Sequence, residues 1–240
     1  MTIKIVEEND LKIYPTKQNI NYKLGLPQPF EDRNQFIICC GAMGTGKSSW
    51  MNSAMTSLKP DGKIFAGCYT RVIYSTPLEC FQSEECHPMK GHVKSRLFHS
   101  FDEKFLSSVI EIAEDNKKEE GSNTLLCVDD YSEEYKNVNT IRLLRRLVWK
   151  HRHLKLTILL SCLSLKSIPK SLRALCDTYI IFKPKSVIEC DGYVEEVFAM
   201  NKKEFQNLLD FVFDEPYNFL FYNARSHKFH KKFNLLEFMA

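Results

Sequence analysis

Apolar residues gather along this chain in short unbroken runs, separated by longer stretches with helical spacing. Phe36–Cys40, Val72–Ser75, Thr124–Val128, Thr157–Cys162, Thr178–Phe182 and Phe219–Tyr222 are each four to six residues long and rich in β-branched and aromatic side chains. Runs of that length without polar alternation predict strands buried on both faces. Between them the period lengthens. Ser48–Leu58 is helix-compatible and stops before the turn signal Lys59-Pro60-Asp61-Gly62. Phe105, Val109 and Ile112 mark one face of a helix within Phe101–Asn116, closed by Lys117-Lys118-Glu119-Glu120-Gly121. Val138–His151 and Lys202–Val212 read as further helices, and the polar segment 78–96 as a surface excursion. Strands alternating with helices predict an α/β fold with a mostly parallel central sheet flanked by helices. Strands after Ile180 have the option of a small antiparallel edge. Residues 1–35 read as a leader of short strands: Ile3-Lys4-Ile5-Val6 is one candidate, and Pro27 and Pro29 forbid a helix in Leu24–Phe30. The division expected is therefore a leader over 1–35 and an α/β domain over 36–240.

Composition narrows the class. A chain of 240 residues with 44% hydrophobic content fits one large domain with a real core. The formal net charge is only +3, so contact with nucleic acid has to come from local clusters of bases. No apolar run reaches the roughly 18 residues of a membrane span, and the N-terminus has no signal-peptide pattern. A soluble protein of a reducing compartment is expected. The nine cysteines agree, because Cys39, Cys40, Cys127 and Cys162 fall in strand-like runs where buried, reduced thiols belong. Cys80, Cys86, His87, His92 and His99 match no common zinc spacing, and ordinary side chains in the excursion are expected there.

The chemistry begins directly after the first strand. Gly41-Ala42-Met43-Gly44-Thr45-Gly46-Lys47-Ser48 has the G-x-x-x-x-G-K-[ST] spacing between a buried strand and a helix, with Ser49 following. In that setting glycines let backbone N–H groups turn inward around a polyphosphate, Lys47 reaches the terminal phosphates, and the Ser48 hydroxyl can ligate Mg2+. ATP or GTP is the implied ligand. The guanine-specifying Asn-Lys-x-Asp pattern is missing, which disfavours GTP.

The run Leu125–Val128 ends in Asp129-Asp130. A carboxylate at the carboxyl end of a buried strand beside such a loop is placed to hold the Mg2+ shell, and Asp129 takes that role. Asp130 is the candidate base for the attacking water, as an alternative to a plain turn-starting pair. Ser161 either senses the γ-phosphate or caps the end of its strand. On a wheel of about 100° per residue, Arg142, Arg145, Arg146, Lys150, Arg152 and His153 share one arc, opposite Ile141, Leu143, Leu144, Leu147 and Val148. That cationic face suits a phosphate backbone or an acidic neighbouring subunit, or is simply solvated. Arg225–Phe233 interleaves bases with aromatics and reads as an edge strand protected by lysines.

Taken together, the glycine loop, Asp129-Asp130, Lys150-His151-Arg152-His153-Leu154-Lys155 before the strand ending at Ser161, and Ile168-Pro169-Lys170-Ser171-Leu172-Arg173 resemble the A32-like genome-packaging ATPases of large double-stranded DNA viruses, within the FtsK–HerA group of P-loop NTPases. The resemblance spans roughly residues 30–235. It implies a homo-oligomeric ring, ATP and Mg2+ as cofactors, double-stranded DNA as the moved partner, and a viral capsid or portal component as the destination. It places the protein in the infected cell's cytoplasm or the virion. It also implies an arginine acting across the subunit boundary. Arg152 and Arg173 both stand in arginine-bearing segments of the pattern, Arg173 being the first choice. Two positions depart from it: Asp130 stands where many members have Glu, and Leu163 where many have Gln, leaving Ser161 or Ser164 as sensor. Competing expectations are another P-loop ATPase, such as a helicase loader or a nucleotide kinase, and a nucleotide-gated binding protein that scarcely hydrolyses.

Overall fold

The computed structural model describes residues 23–56, 64–65, 67–84, 87–90, 96–198 and 200–238. In chain order these form β1 (Phe36–Cys40), α1 (Lys47–Thr56), β2 (Arg71–Ser75), α2 (Leu78–Ser83), β3 (Leu97–Phe98), α3 (Glu103–Asn116), β4 (Thr124–Val128), α4 (Val138–Lys150), β5 (Leu156–Cys162), α5 (Lys170–Arg173), β6 (Thr178–Phe182), α6 (Val187–Glu196), α7 (Lys202–Val212), β7 (Phe219–Asn223), β8 (Lys228–Lys231) and β9 (Asn234–Leu235). The strands make one nine-stranded sheet in the order β3-β2-β4-β5-β1-β6-β7-β8-β9. Pairing is parallel from β3 through β6 and antiparallel from β6 to β9. The sheet is thus mostly parallel with an antiparallel edge at its C-terminal side, as the apolar runs predict.

β1, β4, β5, β6 and β7 are buried along their whole length, which is why their sequences show no alternation. Their two faces feed separate cores. One is packed by Phe105, Leu106 and Val109 of α3, Leu144, Leu147 and Val148 of α4, and Phe205 and Leu208 of α7. The other takes Trp50, Met51 and Ala54 of α1. Side-chain caps start these helices: Asp102 accepts from the Phe105 amide, Asn137 from those of Asn139 and Thr140, and Asn201 with Glu204 forms a capping box.

The leader departs from expectation where it is described. Residues 23–35 contain no strand. Leu24, Leu26 and Phe30 instead pack into the α1-side core, and Phe30 meets the ring of Phe221 at 5.0 Å. Asp32 Oδ1 accepts from the amides of Leu24, Gly25 and Leu26, which replaces the ladder that the prolines deny. Ile3–Val6 and the turn at 59–62 lie outside the described residues. The basic arc of α4 also needs correcting. The helix ends at Lys150, so Arg152 and His153 belong to the following turn.

Candidate functional site

The carboxyl end of β1 opens into the glycine loop at the middle of the sheet, between β5 and β6. Gly44 and Gly46 have φ of 75° and 105°, a region a side chain enters only at a cost. Gly41 is needed for space: a Cβ there would meet Cβ of Phe182 at 2.6 Å. Thr45 Oγ1 donates to the Ala42 carbonyl at 2.7 Å, and the buried Lys47 reaches the same carbonyl with Nζ at 3.1 Å. Lys47 is the first residue of α1, so the amides of Lys47, Ser48 and Ser49 belong to a free helix N-terminus, where anions are favoured. Met43 projects into solvent from the tip of the loop.

Asp129 follows β4 and is 5% exposed. Its Oδ1 accepts from Ser161 Oγ at 2.5 Å and its Oδ2 from Tyr74 Oη at 3.4 Å. Burial, then the neighbouring Asp129 charge, push the Tyr74 hydroxyl well up, so Tyr74 keeps its proton and donates. Among the described residues no cation pairs with Asp129. A buried carboxylate met by two hydroxyls, at the sheet end that carries the glycine loop, fits a divalent cation such as Mg2+, with Ser48 as the second candidate ligand.

Ser161 bridges the two carboxylate residues. Its hydroxyl donates to Asp129 and accepts from the Asp130 amide at 3.0 Å, so it fixes the carboxylate pair. Asp130 sits at φ 64° and is exposed; its Oδ2 accepts from Cys80 Sγ of α2 at 3.4 Å. The excursion thus packs against the candidate base. Ser164 is spent as the cap of a 3-10 turn over Leu165–Ser167, and the Leu163 amide donates to Ser132 Oγ at 3.1 Å.

Both candidate arginines have carboxylate partners within the chain. Arg173 is 9% exposed, with Nε donating to Glu196 Oε2 at 2.8 Å and Nη1 to the carbonyls of Leu165 and Ile168. It ties α5 to α6 and to the 3-10 turn over Leu165–Ser167. Arg152 donates to Asp177 Oδ1 at 2.7 Å, and Asp177 Oδ2 accepts from the amide of Phe36, the first residue of β1. Arg152 therefore stands at the opposite end of β1 from the glycine loop. On α4, Arg142, Arg146 and Lys150 are exposed together with Trp149, and Arg145 lies 5.6 Å from the Trp149 ring. The wheel omits this tryptophan because it is apolar on the polar face.

No His, Cys, Asp and Glu cluster fit for a metal occurs among the described residues, and all described cysteines are free thiols. Cys86 and His92 lie outside them. No described helix is long and apolar enough to cross a membrane.

No protein-family profile matches the chain, and no curated protein matches it. Solved structures do. The genome packaging NTPase B204 of Sulfolobus turreted icosahedral virus 2, in complex with ATP-gammaS, superimposes with a TM-score of 0.61 over 85% of this chain and 98% of that one, at 14% identity. The DNA-packaging ATPase B204 of Sulfolobus turreted icosahedral virus gives 0.61 over 88% and 100%, at 12% identity. ATPases 2 and 3 of EssC from Geobacillus thermodenitrificans give 0.55 over 84% of this chain and 39% of that one, at 13% identity. The chain has the P-loop NTPase fold that these ATPases share.

Proposed function

We propose that this chain is a Mg2+-dependent ATPase that drives double-stranded viral DNA into a capsid, working as a homo-oligomeric ring in the infected cell's cytoplasm or on the virion. The observation that carries the reading is the end-to-end fold match with a packaging NTPase, 85% of one chain on 98% of the other. The glycine loop with Asp129 beside it supports nucleotide hydrolysis independently of that match.

In this reading the amides of residues 42–49 and the Lys47 ammonium hold the β- and γ-phosphates, while Ser48 and Asp129 hold the cation. Mg2+ supplies Lewis-acid neutralisation of the charge growing on the phosphoryl oxygens. Ser161 and Tyr74 donate to Asp129 and keep its carboxylate aimed. Asp130 leaves Cys80, turns toward the γ-phosphate and takes the proton of the attacking water. Arg152 is the better cross-boundary arginine, because it stands about 13 Å along β1 from its own loop and is 30% exposed on its side chain. The exposed bases of α4 contact the DNA backbone or the adjoining subunit, and the capsid or portal binds elsewhere on the ring.

Steady-state ATPase activity with and without duplex DNA tests this, run beside Lys47→Ala and Asp130→Asn. Duplex should raise turnover severalfold, and both variants should lose it. Slow turnover indifferent to DNA and to Asp130→Asn favours a nucleotide-gated binding protein, a reading supported by the contact of Asp130 with Cys80 and by Leu163. Full turnover in Lys47→Ala removes the site assignment.

A further inference from the structure

Tyr217 is the most exposed aromatic among the described residues, at 72%. The other exposed aromatic rings have partners. Trp149 lies against Arg145, Phe211 against Lys231, Phe233 against Phe219 and Phe221, and Phe238 against Phe229. No ring, cation or hydrogen-bond partner of Tyr217 occurs among the described residues. Its backbone is also unusual, with φ of 61°, a conformation that costs a non-glycine residue stability. A large side chain is thus presented to water from a strained position, and packing does not explain either fact.

Its location does. Tyr217 lies in the turn between α7 and β7, two residues before Phe219, which pairs with Phe182 at the carboxyl end of β6. The turn is anchored on both sides of the ring: Phe213 and Phe219 are buried, and the buried Asn218 donates from Nδ2 to Asp214 Oδ1 at 2.8 Å. A Cβ placed on Gly46 would lie 3.4 Å from Cδ1 of Tyr217 and 3.5 Å from Cε1 of Phe182. The ring therefore stands beside the second half of the glycine loop. Asp129 follows β4 and Ser161 lies near the carboxyl end of β5, the cation side, whereas Tyr217 is on the β6–β7 side of β1. A nucleotide whose terminal phosphates point to Asp129 has its nucleoside end directed to the other side of the loop.

We infer that Tyr217 is the platform on which the nucleobase stacks, an inference resting on the nucleotide-site reading above. A flat, solvent-facing ring with no partner gains dispersion and π contact from a purine face, whichever base it is. The tyrosine thus contributes affinity for the nucleoside part and none for the phosphates.

Calorimetric titration of the whole protein with Mg-ATP and with magnesium tripolyphosphate separates these terms. Tyr217→Ala should weaken ATP binding about 5- to 100-fold, the range of base–aromatic stacking, and leave tripolyphosphate affinity within about twofold, as expected for an exposed residue off the phosphates. Tyr217→Phe should bind ATP as the wild type does, since stacking needs the ring and not the hydroxyl. Tyr217→Trp should show fluorescence quenched by ATP and unmoved by tripolyphosphate. Wild-type ATP affinity in Tyr217→Ala overturns the inference, as does an equal loss for both ligands. If the wild type binds neither ligand, or Lys47→Ala weakens neither, the nucleotide site itself is wrong.

Discussion

Ser161 shows how much of the candidate site depends on one hydroxyl. It donates to Asp129 and accepts from the Asp130 amide, so it holds the candidate cation ligand and the candidate base in one arrangement. Ser161→Ala should raise the Mg2+ concentration needed for half-maximal ATPase activity by about 10- to 100-fold, the usual cost of losing a residue that orients a metal ligand. A Mg2+ titration of the activity checks it, and circular dichroism should show an intact fold. The glycine loop and Asp129 stand out as candidates in the sequence because a short local pattern marks each, whereas Ser161 and Tyr74, which hold Asp129, come from strands distant in the sequence. Arginine roles are not legible. Arg173 finds Glu196 23 residues further on, and Arg152 finds Asp177 25 residues on. A spacing pattern does not show which carboxylate within the chain a guanidinium meets. Tyr217 carries no motif at all; it is marked only by a positive φ and a missing partner.

At the level of elements, α4 carries its two faces openly. Leu144, Leu147 and Val148 are buried, and Leu147→Ala should cost about 2–5 kcal/mol in a urea melt. On the other face, Arg146→Ala with Lys150→Ala should leave ATP binding unchanged. If these two bases meet phosphates, the double variant should flatten the salt dependence of duplex binding by about 2 in log–log slope. A slope equal to the wild type would leave the face merely solvated. Strong periodicity made α3, α4 and α7 visible in advance. α6 lacks such a pattern, because Val187 and Ile188 face solvent and a glycine stands inside the helix at 192, where a Cβ would lie 3.4 Å from Cε of Lys166. β3 and β9 have two residues each, too few for any pattern, and exist because a neighbouring strand offers an unpaired edge. β9, not the basic-aromatic run, is the sheet's terminal strand, since β8 pairs on both sides.

Across the whole molecule, Asp177 links segments distant in sequence at the amino ends of β1 and β6. Arg152 pairs with it at 2.7 Å, His151 Nε2 stands at 3.6 Å, and Arg33 and Arg225 each approach to 3.9 Å. Burial works against its ionisation, yet His151, the Phe36 amide and Arg152 overcome it and hold the carboxyl below its usual range. Because the folded carboxyl is the stronger acid, its contribution is complete above the unfolded value of about 3.9 and fades as pH falls through the folded one. Asp177→Asn should therefore destabilise by about 2–3 kcal/mol at neutral pH, and the gap to the wild type should narrow in acid. Melts at pH 7 and below pH ~3.9 compare the two directly, and a constant gap would mean that packing rather than charge matters at this position.

The strand cysteines bear on how the molecule breathes. Cys39 and Cys127 are fully enclosed in β1 and β4, and burial followed by the Asp129 charge pushes both thiols well up. Cys162 in β5 is likewise enclosed and held high. Thiolates are the reactive form, so a mild alkylating reagent at neutral pH has almost nothing to attack at these three sulfurs while the sheet is closed. Each of these sulfurs is then a built-in recorder of opening: the pace at which reagent accumulates on them, with and without ATP, reads how often the strands under the glycine loop part, with no label introduced.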